Sequence, residues 1–466
     1  MFDFELEIQC IYVEYEHVEP RLLSIIQSRL RSDARIEGGI AVVASLDPDL
    51  SQMASRRRGE FGIIDVHLPS LASDSRDLRS RLATVVTSVD HYDVTYPIRE
   101  PSGFFGRRRE FDELTQSLDR GQSVGLFGLR KAGKTSLMNY VRRVREEGER
   151  LVVNLDMSQV SGASDFRWKL VIRAFTALQN WRNSVEASGK IPVRIPKLRV
   201  VTREGSPKGS IEELGMFWTE DLAAIAQARG QRLELFVDEV DQAFPERSNF
   251  GEEEAEKLVL ALTQLRGLIQ QEEIGSPAIV LLCAGVDPAI FERALLGRRD
   301  NLLYKLVRLV FLVPMNREDT AEMVRSLGRR MGLRYSDYRT IDALYSEYGG
   351  HPLLTRKACS LAVRDRNPQE IPWHVPLEAI EAAIKLTGDG SPQEQALDIF
   401  DSFSQWFPDE ASVLRVLWSD DAEEREYGKE LVEDDPNVIE HAKPYGIAND
   451  DFTPRIQAIR AALGVE

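Results

Sequence analysis

Eight residues between Gly128 and Thr135 have the types and the spacing needed to bind a polyphosphate. They read Gly128-Leu-Arg-Lys-Ala-Gly133-Lys134-Thr135. Successive backbone N–H groups wrap a polyphosphate, so glycines are needed where the chain turns tightly, and the lysine reaches the β- and γ-phosphates. The threonine hydroxyl is a ligand for Mg²⁺. This segment is therefore predicted to be a P-loop.

The flanking residues predict the strand and the helix that position such a loop. A short apolar strand, Val124 to Phe127, precedes it, and a helical pattern follows it. The N-terminus of that helix is partially positive, so loop, helix and lysine act on one anion. A chance match to the motif is the alternative, and the flanking elements argue against it. The predicted nucleotide-binding residues of the loop are Gly128, Leu129, Arg130, Lys131, Ala132, Gly133, Lys134, Thr135 and Ser136.

A second strand ends in two acidic residues about a hundred residues later. The segment from Arg232 to Phe244 reads RLELFVDEVDQAF, which is the Walker B arrangement. Its strand brings Asp238 to the Mg²⁺ shell beside Thr135 and places Glu239 near the attacking water. Lys134 and Glu239 are the candidate catalytic residues, and Thr135 and Asp238 are the candidate metal ligands.

Composition predicts a globular protein of about two to four domains. The chain has 466 residues, of which 43% are hydrophobic and 29% charged. No apolar run is long enough for a membrane span and no signal peptide is recognisable, so we expect a cytoplasmic protein with no membrane partner. The three cysteines, Cys10, Cys283 and Cys359, lack the spacing of a zinc site or a disulfide framework.

Residues 1–97 alternate between strand and helix patterns, which predicts a small α/β domain with a mainly parallel sheet. Two of the predicted helices lie at about residues 48–60 and 75–89. The order of elements resembles the later core of the restriction-endonuclease-like fold. An active member would need Glu-x-Lys on one strand, and the aligned residues here are Glu14-Tyr15-Glu16, without the lysine. The resemblance therefore implies a degenerate sensor or effector domain, with a live nuclease as the alternative. Exposure of both glutamates on the wet face of a strand is a third, purely structural interpretation.

After a linker marked by Pro97, Pro101 and Gly103, the chain reads Phe105-Gly106-Arg107 and then a short helix. This segment, followed by a strand and GxRxxGKTSL, resembles the entry to archaeal-type ATPases and their STAND relatives, which are allied to the AAA+ class. The resemblance implies that Phe105, Gly106 and Arg107 lie beside the adenine. A linker anchored by its phenylalanines, with a solvated arginine run, is the alternative.

The same resemblance extends over residues 100–466 and implies three domains. A P-loop ATPase core of α/β class with a parallel sheet spans 98–315, a helical lid spans 316–388 and a winged helix spans 389–466. Within the last domain, the residue pattern predicts a helix over residues 438–446 and a short strand pair around Ile447 and Phe452. The lid contains Gly349-Gly350-His351-Pro352, and the resemblance makes His351 and Pro352 nucleotide contacts. A glycine helix C-cap followed by proline in the next first turn explains the same residues equally well.

Two basic segments are candidate partner surfaces. Residues 190–208 carry six Lys and Arg against Glu204 alone, which predicts either a solvated loop or a contact for a protein or nucleic-acid partner. Arg298 and Arg299 follow the strand that carries the sensor position in the family. The sequence leaves two interpretations of these arginines open. They form an exposed basic turn, or one of them contacts the active site of a neighbouring subunit.

The leading functional hypothesis is an ATP-binding, slowly hydrolysing switch whose ATP and ADP states differ in domain arrangement or in assembly into a homo-oligomer. Adenine is preferred because no Asn-Lys-x-Asp follows the Walker B strand. The alternatives are a DNA-binding ATPase of the origin-recognition or helicase-loader kind and an ATPase-gated nuclease. Residues 391–466 contain eighteen Asp and Glu against six Lys and Arg, a net of −12, which opposes DNA binding by that segment.

Overall fold

The computed structural model describes most of the chain. The described residues are 7–19, 21–32, 36–50, 52, 62–71, 89–93, 104–189, 194–244, 250–270, 278–296, 299–367 and 370–463. They form two compact units: one is Arg108–Val313, and the other combines Met1–Arg107 with Pro314–Glu466. Of the helices in the described part, none combines the length and the apolar composition needed to cross a bilayer.

The unit Arg108–Val313 alternates strands with helices. Its elements are α3 (Arg108–Asp119), β4 (Val124–Phe127), α4 (Lys134–Glu147), β5 (Leu151–Asp156), a 3₁₀ turn (Met157–Gln159), α5 (Ala163–Ala187), α6 (Ile211–Arg229), β6 (Leu233–Asp238), a 3₁₀ turn (Val240–Ala243), α7 (Glu252–Ile269), β7 (Ile279–Gly285), α8 (Ala289–Glu292), β8 (Leu295–Leu296), β9 (Arg299–Asp300) and β10 (Arg308–Phe311).

Five of these strands form one parallel sheet in the order β10-β4-β7-β6-β5. Every residue of β4, β6 and β7 is buried, as expected of parallel strands covered by helices. The apolar runs that predicted strands in the sequence therefore form the centre of this core. The fold class predicted for this region, an α/β P-loop core with a parallel sheet, is confirmed.

The N-terminal sheet contains three parallel strands in the order β1-β2-β3. Its described elements are β1 (Glu7–Val13), α1 (Arg21–Ser32), β2 (Ile36–Ser45), β3 (Gly62–His67) and α2 (Leu68–Leu71). Apolar residues of α1 such as Leu23 and Ile26 pack with Val43 and Ile63 of the sheet. The predicted parallel α/β arrangement is confirmed here. Two further helices predicted at about residues 48–60 and 75–89 fall largely outside the described residues.

Glu14 and Glu16 do not lie on a strand, contrary to the sequence-based expectation. Strand β1 ends at Val13, which pairs with Ser45 at the end of β2, and Glu14-Tyr15-Glu16 follows as an exposed bend. The chain turns there because Val18 enters the core and donates its N–H to Asp47 Oδ2 at 2.7 Å. Among the described residues, no group of three His, Cys, Asp or Glu side chains is placed to hold a metal.

The segment after Val313 is mostly helical. Its elements are α9 (Arg317–Arg330), β11 (Leu333–Arg334), α10 (Tyr338–Tyr348), α11 (Pro352–Ala362), β12 (Trp373–His374), α12 (Leu377–Ile384), α13 (Pro392–Trp406), α14 (Pro408–Leu417), α15 (Ala422–Asp434), a 3₁₀ turn (Pro436–Ile439) and α16 (Gln457–Ala462).

The last part of this segment differs in two places from the sequence-based prediction. Residues 438–446, predicted as a helix, contain the end of a 3₁₀ turn and further turns, because Pro444 has no N–H to donate and Gly446 adopts φ 68°. The predicted strand pair near Ile447 and Phe452 is reduced to a single antiparallel bridge between Ala448 and Pro454. The winged-helix assignment stays a prediction.

Residues 90–93 pack against helices that follow them by more than two hundred positions. Tyr92 is 1% exposed, and its hydroxyl donates to the carbonyl of Val324 in α9 at 2.6 Å. Arg356 of α11 donates to the carbonyls of His91 and Tyr92. Burial beside the Arg330 and Arg356 guanidinium groups lowers the pKa of His91 to about 3. The chain before the predicted linker is thus anchored to helices α9 and α11.

Arg455 forms hydrogen bonds with two stretches of the same unit that are distant from it in the sequence. The Arg455 guanidinium donates to the carbonyls of Gly349 at 3.2 Å and Pro314 at 3.2 Å. Gly350 approaches the chain so closely that a Cβ there would lie 2.0 Å from the Met315 carbonyl oxygen. Only glycine fits at that position.

A buried ion pair joins strand β6 to helix α4. Glu234 is fully buried, and its carboxylate accepts from Arg145 at 2.6 Å. Arg145 also contacts Asp119 at the end of α3, at 2.7 Å. Because the charges are withdrawn from water, removal of one partner leaves the other uncompensated.

We expect Glu234→Ala to lower the free energy of unfolding by about 3 kcal/mol, since it leaves the buried Arg145 with only Asp119 as a partner. Chemical denaturation followed by circular dichroism measures the change. The double variant Arg145→Met/Glu234→Leu is expected to recover most of the loss. Lys257→Ala, which breaks an exposed pair with Glu253, serves as the control and should cost less than about 1 kcal/mol.

Candidate functional site

The predicted P-loop and Walker B residues lie at the same edge of the five-stranded sheet. The P-loop follows β4 and Asp238 ends β6. Strand β7 lies between these two strands. Because the carboxyl ends of parallel strands meet at one edge, residues a hundred positions apart become neighbours there.

The P-loop backbone has the turns that its glycines predict. At Gly128 a Cβ would lie 2.8 Å from the Leu312 carbonyl oxygen, so the strand end passes too close to β10 for a side chain. Gly133 adopts φ 103° and caps helix α4. Apart from its chain neighbours, no atom of the described residues lies within 4 Å of the position where a Cβ at Gly133 would be. This open space adjoins Lys134 and the start of a 14-residue helix, where an anion is stabilised.

Lys134 is directed back into the loop. Its Nζ donates to the carbonyls of Gly128 and Leu129, both at 2.8 Å. Desolvation lowers the pKa of Lys134 to about 8, although the carboxylates of Asp241, Asp238 and Glu239 act in the opposite direction. Both acceptors are neutral carbonyls, so neither cancels the ammonium charge that a phosphate would bind.

Thr135 and Asp238 are in direct contact, as the sequence predicts. The Thr135 hydroxyl donates to Asp238 Oδ2 at 2.7 Å, and burial raises the pKa of Asp238. A hydroxyl and a carboxylate are oxygen ligands of the type that Mg²⁺ prefers. Their contact beside the open space at Gly133 fits a Mg²⁺ ion bound together with a polyphosphate.

Glu239 immediately follows the Walker B strand in a left-handed conformation, with φ 53°. A left-handed backbone is uncommon for a residue with a side chain, and such residues cluster at functional sites. The Glu239 carboxylate is exposed. Desolvation and the carboxylates of Asp156 and Asp238 raise its pKa, which favours a role as an acceptor of protons from water.

Asp241 is a residue at this edge that sequence reasoning missed. It is 2% exposed, and its carboxylate accepts from the backbone N–H groups of Val286 at 2.7 Å and Asp287 at 3.3 Å. It thereby joins the Walker B turn to the end of β7. The only sequence signal was a third acid in Asp238-Glu-Val-Asp241.

The end of β7 is where the resemblance to archaeal-type ATPases implies a sensor residue. Cys283, Ala284 and Gly285 are buried strand residues. Asp287, the polar residue that follows, is 3% exposed, and its Oδ1 accepts from the N–H of Ala289 at 2.8 Å. Its carboxylate therefore caps α8.

The predicted adenine-side residues belong to the unit that contains the N-terminus. Arg107 is 5% exposed, and Phe105 and Gly106 are half-buried. Gly106 has φ 61°, and a Cβ there would lie 2.6 Å from Cβ of Asp319 in the first turn of α9. This close approach explains the glycine. An adenine contact by these residues stays a prediction.

His351 and Pro352 lie in the same unit at the start of α11. Gly349 is the left-handed C-cap of α10 and Pro352 occupies the first turn of α11, as the capping interpretation predicts. The His351 side chain is fully buried. Its phosphate contact stays a prediction, and the capping geometry accounts for its neighbours.

The basic segment 190–208 is an ordered hairpin over its described residues, 194–208. Val201 bridges Pro207, and the Asp221 carboxylate accepts from the N–H groups of Arg199 and Val200. All of its described basic residues are exposed, namely Arg194, Lys197, Arg199, Arg203 and Lys208. Of the two arginines after β7, Arg298 lies outside the described residues, and Arg299 pairs with Leu296 in a short hairpin.

No protein-family model matches this sequence, and no curated protein matches it significantly. Among solved structures, the chain is similar to the Walker-type ATPase PABY2304 of Pyrococcus abyssi, with 15% identity, a TM-score of 0.50, and 80% of this chain and 99% of that chain covered. It is also similar to a RuvB mutant of Thermotoga maritima (11% identity, TM-score 0.35, 68% and 87% covered). Cdc6p of Pyrobaculum aerophilum is a third similar structure (12% identity, TM-score 0.38, 80% and 96% covered).

The likeness to the Pyrococcus protein shows a shared fold. The chain therefore has the fold of a P-loop ATPase, with the loop and the Walker B strand at the carboxyl edge of a parallel sheet. The sequence-based resemblance to this class is confirmed at the level of the fold.

We expect nucleotide binding to be accompanied by proton uptake near pH 8. The pKa of Lys134 is about 8, and a bound polyphosphate would raise it. The nucleotide affinity therefore has its full value below about pH 8, where Lys134 is protonated in the free protein. It falls as the pH rises through the higher pKa of Lys134 in the bound state. Calorimetry at about pH 8.5 in two buffers of different ionisation enthalpy measures the uptake. Lys134→Arg, which stays charged, should abolish it, and equal uptake in both proteins would contradict the assignment.

Proposed function

We propose that this protein is an ATP-binding and slowly hydrolysing molecular switch of the STAND type, related to the AAA+ class. The observation that carries the proposal is the contact between Thr135 and Asp238 beside the open, left-handed turn at Gly133. The P-loop ATPase fold supports it. ATP, ADP and Mg²⁺ are the ligands that this site is proposed to bind.

Each residue at the site has a distinct task in this proposal. The P-loop amides and Lys134 bind the phosphates, and Thr135 and Asp238 hold the metal. Bound Mg²⁺ supplies charge neutralisation of the β- and γ-phosphates. Glu239 orients and polarises the attacking water, because its carboxylate is exposed and its pKa is raised. Asp241 positions the Walker B turn through the N–H groups of Val286 and Asp287.

We expect Glu239→Gln to retain ATP binding and to hydrolyse ATP at least about a hundredfold more slowly, since a proton acceptor contributes about that factor. Lys134→Ala should instead abolish ATP binding, because the lysine is a point charge on the phosphates. Single-turnover hydrolysis and fluorescent-nucleotide titration distinguish the two effects. Glu212→Gln, an exposed residue of α6, is the control. Normal turnover by Glu239→Gln would make Glu239 a surface acid, and normal affinity of Lys134→Ala would refute the P-loop assignment.

The partner proposed for the ATP state is a second copy of the chain, with the basic hairpin 194–208 as a contact for an anionic surface. Charge complementarity supports a protein contact, because residues 391–466 have a net charge of −12. Nucleic acid is the alternative occupant of the hairpin. Arg298 and Arg299 are the proposed residues offered to the neighbouring subunit.

Sedimentation tests this assembly. The Glu239→Gln protein with ATP should form larger particles than with ADP, and Arg203→Glu/Lys208→Glu should reduce the size. Arg298→Ala/Arg299→Ala should lower wild-type ATPase activity without weakening ATP binding. A monomer in every nucleotide state, with a rate per molecule independent of protein concentration, would contradict assembly. Co-sedimentation with duplex DNA that is lost in the hairpin variant would identify nucleic acid as the occupant.

A further inference from the structure

A cavity of about 340 Å³ lies between helix α15 and the turn that precedes Pro454. This volume is in the range of pockets that bind small molecules. Its lining is mixed: apolar groups come from Leu417, Trp418, Phe452 and Pro454, and the rest is mainly charged. No residue of the nucleotide site belongs to it.

Basic side chains are concentrated at this cavity, although residues 391–466 are acidic overall. Residues 391–466 contain only six Lys and Arg beside eighteen Asp and Glu. Three of the six, Arg425, Lys429 and Arg460, line the cavity. A fourth, Lys443, places its Nζ 3.8 Å from the centre of the Phe452 ring. Most of the positive charge of an acidic segment is therefore concentrated at one place.

Two of these cations keep their charge available. One Arg425 amine donates to the carbonyl of Ser419 at 2.7 Å, which is a neutral acceptor. Lys429 contacts Glu426 at 3.3 Å in a pair whose side chains are both more than half exposed, and such pairs are weak. Arg460 is paired with Asp420 at 2.6 Å. Arg425 and Lys429 are one turn apart on α15 and are the two that can recognise an anion.

The apolar side of the cavity is held in a fixed position. The Trp418 indole N–H donates to the Phe452 carbonyl at 3.0 Å. Phe452 has φ 64°, a left-handed conformation that is rare for an aromatic residue and occurs at sites that hold ligands. The tight turn from Asn449 to Thr453 maintains it. Trp418 is only 3% exposed and Phe452 is half-buried, so Phe452 offers most of the apolar surface and Trp418 holds it in place.

Two acids, Asp451 and Glu433, also line the cavity and would repel part of an extended anion. Asp451 Oδ1 accepts from the N–H and the hydroxyl of Thr453, and these bonds lower its pKa. Glu433 lies one turn beyond Lys429. A long polyanion would have to cross the surrounding acidic surface, whereas a small anion would not.

We propose that this cavity binds a small organic anion in which a carboxylate or phosphate group is attached to a flat apolar body. Arg425 and Lys429 pair with the anionic group, and Phe452, positioned by Trp418, contacts the apolar body. This site is independent of the nucleotide site proposed above.

Calorimetric titration of the full chain with phenyl phosphate and with phenylacetate tests the proposal and separates the two anionic groups. Saturating ADP is present, and the titrations are repeated with Lys134→Ala, so that the P-loop cannot account for the heat. Inorganic phosphate, acetate and benzyl alcohol are the controls that lack one half of the ligand. We expect at least one aromatic anion to bind at one site per chain, at least about tenfold more tightly than every control.

Arg425→Gln and Lys429→Gln are each expected to weaken that binding at least tenfold. Arg415→Gln is the matched control, because Arg415 is an exposed cation of the same segment that lies over the Phe400 ring instead. Thermal unfolding of each variant shows whether it is folded. Saturable binding that is lost in the first two variants alone supports the proposal.

Three results would overturn it. In the first, neither aromatic anion binds. In the second, Arg415→Gln weakens binding as much as Arg425→Gln does. In the third, the aromatic anions do not bind, but the wild-type protein binds duplex DNA and Arg425→Gln and Lys429→Gln abolish that binding. The last result would assign the cations to nucleic acid.

Discussion

The hydrogen bond from Thr135 to Asp238 is the interaction on which the site depends. It joins the helix that follows the P-loop after β4 to the last residue of β6, two strands that are not neighbours because β7 lies between them. The contact exists only if all three strands run parallel and in register. The sheet registers place Phe127 beside Gly285 and Val237 beside Cys283, so the three strand ends are aligned at one edge.

A second level of polar contacts holds that alignment. Asp241 binds the backbone after β7, and Glu234 fixes β6 to α4 through Arg145 at the other end of the strand. Both carboxylates are buried, and each has charged or backbone donors directed at it. Such groups cost free energy when they lose a partner. The functional edge and the opposite edge of the sheet are therefore both held by buried acids.

Much of the site could be predicted because its information is local. The P-loop and the end of β6 each lie within a short stretch whose residue types determine turns, strand and helix start. Asp241 was missed because its task depends on the N–H groups of Val286 and Asp287, which sequence does not place beside it. The helix predicted over residues 438–446 failed for a local reason, Pro444. The packing of Tyr92 and the cavity near Trp418 depend on contacts between residues that are far apart in the sequence, so neither could be predicted from a short stretch.

The anchoring of residues 90–93 has a consequence for the order in which the chain can fold during synthesis. Tyr92 and its partner Val324 are separated by 232 positions, and Arg455 reaches back 141 positions to Pro314. The unit Arg108–Val313 is continuous, so all of its partners have been synthesised before Val324 exists. Domains generally fold as units while the ribosome extends the chain. The unit Arg108–Val313 can therefore be complete before residues 90–93 have their helical partners, and the segment around Pro314 gains its contact with Arg455 only after Arg455 has been made.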